Sequence, residues 1–140
     1  MRIQYKRSLR GVDWKAMKSA LAVDNFDNGR TARQLAQSFR NSHSICIAYA
    51  GGRIIGTARV LSDGVCNAYF VDMWTHSEFR RQGIARKMMK MLLEQLPGQH
   101  VYLQADDDVA GFYARIGFAP QPNGMSQVVG RWLRKGPGRS

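Results

Sequence analysis

Six consecutive residues, Arg80-Arg81-Gln82-Gly83-Ile84-Ala85, carry the most chemistry per residue in this sequence. They follow an apolar run, Ala68 to Thr75, and open an amphipathic run that continues to Leu96. A strand, a short basic turn containing glycine, and a helix N-terminus together make an anion site. The unpaired N–H groups at the start of the helix point at the ligand, and the helix dipole adds partial positive charge there. Gly83 lets a phosphate approach the backbone with no Cβ in the way. Arg80, Arg81, Gln82, Gly83, Ile84, Ala85 and Arg86 are therefore the candidate anion-binding residues. A purely structural turn before a helix has the same appearance, so the rest of the chain must support the reading. The side chains of Arg81 and Lys87 suit direct contact or a solvated surface equally.

A second candidate is Asp72, which stands inside the otherwise apolar run. A carboxylate there needs a reason, because burying an unpaired charge is expensive.

The elements that must hold these residues can be read from periodicity and turn chemistry. Ile3 to Lys6 suits a first strand. A helix follows, with Asp13 near its N-terminus and two apolar stripes, one ending at Val23 and one formed by Trp14, Met17 and Leu21. Asp27-Asn28-Gly29 breaks it. Thr31 can cap a second helix running to about Phe39. Ser44 to Tyr49 and Arg53 to Leu61 read as strands joined by a hairpin at Ala50-Gly51-Gly52. Val65 to Thr75 is a further long strand. After the basic turn, Ile84, Met88, Met91, Leu92 and Leu96 form one side of a helix whose wet face carries Arg86, Lys87, Lys90 and Glu94. His100 to Gln104 is a strand. Asp106-Asp107-Asp108 supplies N-terminal carboxylates to a helix with Val109, Phe112, Tyr113 and Ile116 on one face, and Met125 to Leu133 gives a last strand. This order implies an α/β fold on a mixed sheet of about seven strands with helices on both faces.

The chain has 140 residues, 44% of them hydrophobic, enough for one domain with a real core. That domain is read as 1–135, with 136–140 a short disordered tail. No apolar run reaches the roughly 20 residues of a membrane span, and the polar, basic start lacks a signal peptide's apolar core. Cys46 and Cys66 have no metal spacing and read as buried free thiols in a reducing cytoplasm. The three histidines, His43, His76 and His100, are scattered, so no metal site is expected. His76 and Glu78 read as exposed. The net charge of +11 fits a solvated basic surface that steers a polyanion. A nucleic-acid module would need stacking aromatics on a basic face, whereas the aromatic residues here follow core-like patterns.

The turn has the spacing R-x-x-G-x-A. It resembles the pyrophosphate loop of the GNAT superfamily of N-acetyltransferases, Q/R-x-x-G-x-G/A. Phe112-Tyr113-Ala114-Arg115-Ile116-Gly117-Phe118 resembles the same family's F/L-Y-x-x-x-G-F segment. A third stretch, Ala58 to Val65 with Asn67-Ala68 and Asp72, resembles the small branch that includes plastid and cyanobacterial arylalkylamine (serotonin-type) acetyltransferases. The resemblance covers roughly Ser44 to Leu133.

It implies a GNAT fold and transfer of an acetyl group from acetyl-CoA to a primary amine. Backbone groups of Met73, Trp74 and Thr75 would bond the pantetheine arm like an added strand, and a bulge would turn an N–H toward the thioester oxygen. Trp74 suits the site wall or ordinary packing. Tyr113 matches the tyrosine that protonates the departing thiolate in many members, or it is a core tyrosine. Asp72 either accepts a proton from the substrate ammonium or holds a structural ion pair with an arginine. Many relatives carry a glutamate one position earlier, where this chain has Val71. Asp106 to Asp108 stand where relatives have an asparagine near the cofactor arm, so Asp108 is a candidate cofactor contact, with helix capping the alternative. No cysteine sits in either motif, which favours direct attack in a ternary complex. The acceptor is read as a small arylalkylamine or amino-acid-like molecule, with a protein lysine or N-terminus as the rival. A homodimer through the C-terminal strands is common in relatives.

Overall fold

The computed structural model describes residues 2–130, which divide after Gln104 into two compact units. In the first unit, five strands lie in sequence order across one sheet: β1 (Ile3–Lys6), β2 (Ser44–Ala50), β3 (Arg53–Ser62), β4 (Asn67–Thr75) and β5 (His100–Tyr102). The first three pairings are antiparallel and β4–β5 is parallel. Gly51 and Gly52, with φ of +55° and +84°, make the two-residue hairpin turn between β2 and β3. A two-residue turn with both φ positive matches the strand twist, and glycine adopts it without strain.

Helix α1 (Trp14–Val23) starts where the Asp13 side chain accepts the Ala16 N–H at 3.0 Å. Of its two stripes, the one through Met17 and Leu21 is buried, while Val23 is 63% exposed. Helix α2 (Ala32–Arg40) opens with a reciprocal box: Thr31 Oγ1 accepts the Gln34 N–H, and Gln34 Oε1 accepts the Thr31 N–H. The two caps satisfy N–H groups that no helical carbonyl can reach. Met17, Leu21, Leu35 and Phe39 from these helices pack on Ile45, Ile47, Ile54 and Trp74.

Helix α3 (Ile84–Leu93) covers the opposite face of the sheet. It buries Ile84, Met88, Met89 and Leu92, each contributing about 1.5–3 kcal/mol by leaving water. A Cβ on Gly56 of β3 would lie 3.1 Å from the Met88 methyl and 3.3 Å from Ala48 Cβ, so glycine lets α3 lie close. The helix stops three residues short of Leu96, which is buried in the following turn.

The second unit holds a 3₁₀ turn (Asp107–Val109) running into α4 (Ala110–Arg115). Of the seven strands expected, five form among the described residues. The last one, Met125 to Leu133, is not formed over 125–130: Pro120, Pro122 and Gly124 break the approach to it, and Met125 and Val129 are exposed. Its residues 131–133, and the tail 136–140, lie outside the described residues. Among the described residues, no helix is long and apolar enough to cross a membrane.

Candidate functional site

Strand β4 is broken at one place. Arg59 pairs with Val71 and Thr57 with Trp74, so Ala58 faces two residues, Asp72 and Met73. This is a β-bulge, and Asp72 sits in it with φ +53°. A bulge takes backbone groups off the ladder and re-aims them. Aspartate is among the few residues that tolerate this left-handed conformation. Thr57 Oγ1 donates to the Asp72 carbonyl at 2.9 Å and fixes the bulge from the neighbouring strand. The bulge therefore stands where the sequence expects one.

The Asp72 side chain is the centre of an ion cluster. Arg30 donates through Nη1 and Nη2 at 2.8 and 2.9 Å, and Arg59 donates through Nε at 2.6 Å. The carboxylate is 5% exposed. Burial alone would push its pKa up. The hydrogen bonds and charge of Arg30, then those of Arg59, more than offset this and hold it below the usual carboxylate range. Of the two sequence readings of Asp72, this geometry is the ion pair. An acidic carboxylate already accepting three charged N–H groups is a poor proton acceptor. Arg59 also donates to the Ser38 carbonyl and Ser42 Oγ, and lies over the Phe39 ring at 5.7 Å. Arg30 Nε donates to the Asp27 carbonyl. Neither arginine stands out in the sequence, where they are two of 21 basic residues. The only signal is Asp72's own need for a counter-charge.

Beyond the bulge, Trp74 is buried, and its indole N–H donates to Asp24 at the end of α1, at 2.9 Å. Asp24 also accepts the Ser77 N–H at 3.1 Å and lies 3.7 Å from the Arg80 guanidinium. Burial raises its pKa, but the Trp74 and Ser77 bonds and the Arg80 charge bring it below the ordinary value. His76, expected on the surface, is buried. Its ring packs between Trp74 and Phe79, and its Nδ1 accepts the Glu78 N–H. That bond caps the 3₁₀ turn Ser77–Phe79. Apolar neighbours on both sides of the chain pull the imidazole in.

The basic turn follows at once. Arg81 and Gly83 both adopt left-handed φ, +65° and +79°, and Gly83 is the N-cap of α3 with no side chain capping it. The first N–H groups of α3 are thus left for a ligand, unlike those of α1 and α2, which are capped. A Cβ at Gly83 would meet nothing within 4 Å, so the space over the turn is open. Arg81, Gln82 and Arg86 are exposed around it, Ala85 is half-buried, and Ile84 anchors the turn in the core. Arg80 instead folds back, donating from Nε to the Thr75 carbonyl at 3.0 Å. Thr75 Oγ1 is buried without a partner. Open space over a glycine, uncapped N–H groups, basic side chains and an orphaned hydroxyl at the end of β4 fit a pyrophosphate-bearing ligand with a polar arm.

Arg30 also lines a polar cleft of about 490 Å³ between the loop before α2 and one face of that helix, with Asn28, Gln34, Gln37, Ser38 and Asn41.

In the second unit, Tyr113 packs edge-on against Phe112 and Phe118, at 5.1 and 6.1 Å. Burial pushes its phenol above the ordinary value. Asp106 stands at the N-cap of the 3₁₀ turn but makes no side-chain cap bond, so the expected capping is absent there. Asp107 and Asp108 are exposed in that turn. Cys46 is buried, as expected, and burial pushes its thiol up to about 11; Cys66 is exposed, against expectation.

Comparison with known proteins places these features in a family. The family model "Acetyltransferase (GNAT) domain" matches residues 41–120, more than half of the chain. Serotonin N-acetyltransferase 2, chloroplastic, of Oryza sativa subsp. japonica is 28% identical over 86% of this chain and 63% of its own length. The uncharacterized N-acetyltransferase ycf52 of Porphyra purpurea is 34% identical over 52% of this chain and 44% of its own. This chain therefore spans less than two thirds of either relative. Among solved structures, a GNAT family acetyltransferase of Streptococcus pneumoniae superposes with a TM-score of 0.77 at 24% identity, covering 91% of this chain and 98% of that one. At that identity the likeness speaks to the fold. The matched domain contains both the bulge and the basic turn at Gly83, and the chain belongs to the GNAT acetyltransferase family.

Proposed function

We propose that this chain transfers an acetyl group from acetyl-CoA to the primary amine of a small molecule. The observation that carries the reading is the pairing of the bulge at Asp72–Met73 with the uncapped, left-handed turn at Gly83, ten residues on. The turn and the α3 N-terminus hold the pyrophosphate, with Arg81, Gln82 and Arg86 around it. The backbone of Met73, Trp74 and Thr75 holds the pantetheine arm, and Thr75 Oγ1 offers a further polar contact. Bound there, acetyl-CoA supplies an activated acyl group. The bulge aims a backbone N–H of this strand at the place where negative charge develops, the largest single contribution in many acyl transfers. Tyr113 keeps its proton at neutral pH and is the proton donor to the departing thiolate, by its match to the family segment. The amine attacks directly, without a covalent enzyme intermediate.

Asp72 does not serve as the base in this scheme, because two guanidiniums hold it ionised. The amine loses its proton to solvent or arrives neutral. The test is titration of acetyl-CoA by calorimetry, followed by a CoA-release assay over a panel of small amines and a lysine peptide. Binding and turnover with small amines are expected. Turnover confined to the peptide would move the acceptor class to proteins, and absence of acetyl-CoA binding would overturn the reading.

A further inference from the structure

The ion cluster at Asp72 is unbalanced. Two arginines face one carboxylate, which leaves one positive charge in excess in a nearly closed setting. Arg59 spends three of its donors on Asp72, Ser38 and Ser42, lies over Phe39, and is not among the residues lining the polar cleft. Arg30 is. A guanidinium has five N–H donors, and Arg30 spends three, on Asp27 and on both oxygens of Asp72. Two N–H groups remain, and Arg30 lines the polar cleft described above.

The rest of the cleft has a matching chemistry. Asn28, Gln37 and Asn41 present amides and Ser38 a hydroxyl, and no carboxylate is among the lining residues. Arg33 and Arg40 lie on the same helix, which carries no acidic residue. Such a lining does not suit an apolar ring. It is open to solvent and spans about 490 Å³. It is also tied to the β4 bulge, because Arg30, one of its lining residues, grips Asp72 through its guanidinium.

We infer that this cleft binds a carboxylate on the acceptor, so that the preferred acceptors are amino-acid-like amines rather than simple arylalkylamines. This rests on the acetyl-transfer reading above and narrows its substrate class. Asp72 holds Arg30 from behind in a fixed plane. The remaining donors and the excess charge then meet the substrate's carboxylate, while the amides take its other polar groups. Arg30 becomes a specificity residue, and Asp72 positions it.

Matched acceptor pairs that differ by one carboxylate test this: histidine against histamine, and tyrosine against tyramine. In each pair the carboxylate-bearing member is expected to show kcat/KM at least tenfold higher, mostly through KM. Gln37→Glu, on an exposed helix position away from the ion cluster, puts a negative charge in the cleft. It is expected to lower kcat/KM at least tenfold for the amino acids and to raise it for the decarboxylated amines. Arg30→Lys, which keeps the charge and loses the planar fork, is expected to narrow the gap. Acetyl-CoA affinity, measured by calorimetry on every variant, stays at the wild-type value. Equal kcat/KM within both pairs, or a Gln37→Glu variant with unchanged preference, overturns the carboxylate site and leaves acetyl transfer standing. Acetyl-CoA binding without turnover of either member overturns the small-amine reading and this inference with it.

Discussion

Asp72 and Arg30 stand 42 residues apart in the chain and meet through two parallel hydrogen bonds of 2.8 and 2.9 Å. One residue shapes the bulge and the other leads into α2, so the pair joins the bulged strand β4 to the helix that lines the polar cleft. This doubly bonded geometry is more specific than a point-charge contact.

Asp72→Asn would therefore act on stability first. Removing one partner of a buried ion pair costs about 3–5 kcal/mol, which should appear as a clear fall in melting temperature. The depressed pKa of Asp72 fixes the sign of the pH dependence. Its contribution is complete above the ordinary carboxylate pKa and is lost as pH falls through the folded value, so the wild-type advantage should shrink only in acid. Per folded molecule, the pH–rate profile near neutrality should keep its shape. A profile that loses its neutral limb would restore Asp72 as the base.

Gly83→Asp places a side chain and a negative charge over the basic turn proposed to hold the pyrophosphate. Since aspartate tolerates left-handed φ and a Cβ meets nothing there, the fold should survive. Acetyl-CoA affinity should fall by about tenfold or more, and wild-type binding by this variant would remove the turn from the site. Wild-type affinity should also weaken as salt rises, as expected for a polyanion on a basic turn.

Tyr113→Phe keeps the ring against Phe112 and Phe118 and removes only the hydroxyl. Turnover should drop by about 10²–10⁴, the usual contribution of a general acid, with acetyl-CoA affinity and melting temperature little changed. Because burial raises the phenol's pKa, the wild-type rate should hold to higher pH than an ordinary tyrosine would allow. A fully active variant would make Tyr113 a packing residue.

Asp24→Ala would leave the buried Trp74 indole N–H without its acceptor. An orphaned buried donor costs about 1–3 kcal/mol. Loss of the Ser77 bond should also loosen the 3₁₀ turn ahead of Arg80, so acetyl-CoA binding should weaken together with thermal stability. Asp24→Asn, which keeps an acceptor oxygen, should recover most of both.

A thiol reagent should modify Cys66 rapidly in the native protein and reach Cys46 only after unfolding. Quantifying labelled thiols by mass before and after denaturant checks this.

What the sequence revealed and what it hid divide by distance along the chain. The Asp13 and Thr31 caps, the Gly51-Gly52 hairpin and the wet and dry sides of α3 depend on neighbours within four residues, and local chemistry sets them. The partner of Asp72 does not, because choosing Arg30 and Arg59 among many basic residues requires the strand register. The burial of His76 is hidden for a related reason: a polar residue between Thr75 and Ser77 looks exposed until Trp74 and Phe79 close on it. The polar cleft is built from amides and a loop arginine that carry no sequence signature.

The sheet order has a consequence for how the site comes into being. Strands β2, β3 and β4 form a meander closed by short turns, and this hairpin unit already contains the bulge. Strand β1 pairs with β2 only across the excursion that includes α1 and α2, and β5 joins β4 only across the one that includes α3. Arg30 arrives with the first of these long closures, and the basic turn at Gly83 lies within the second. Long closures are the slow steps of folding. On the acetyl-transfer reading, acetyl-CoA would grip chains in which β4 and α3 have already formed, and its binding would draw these late species into the native state by mass action.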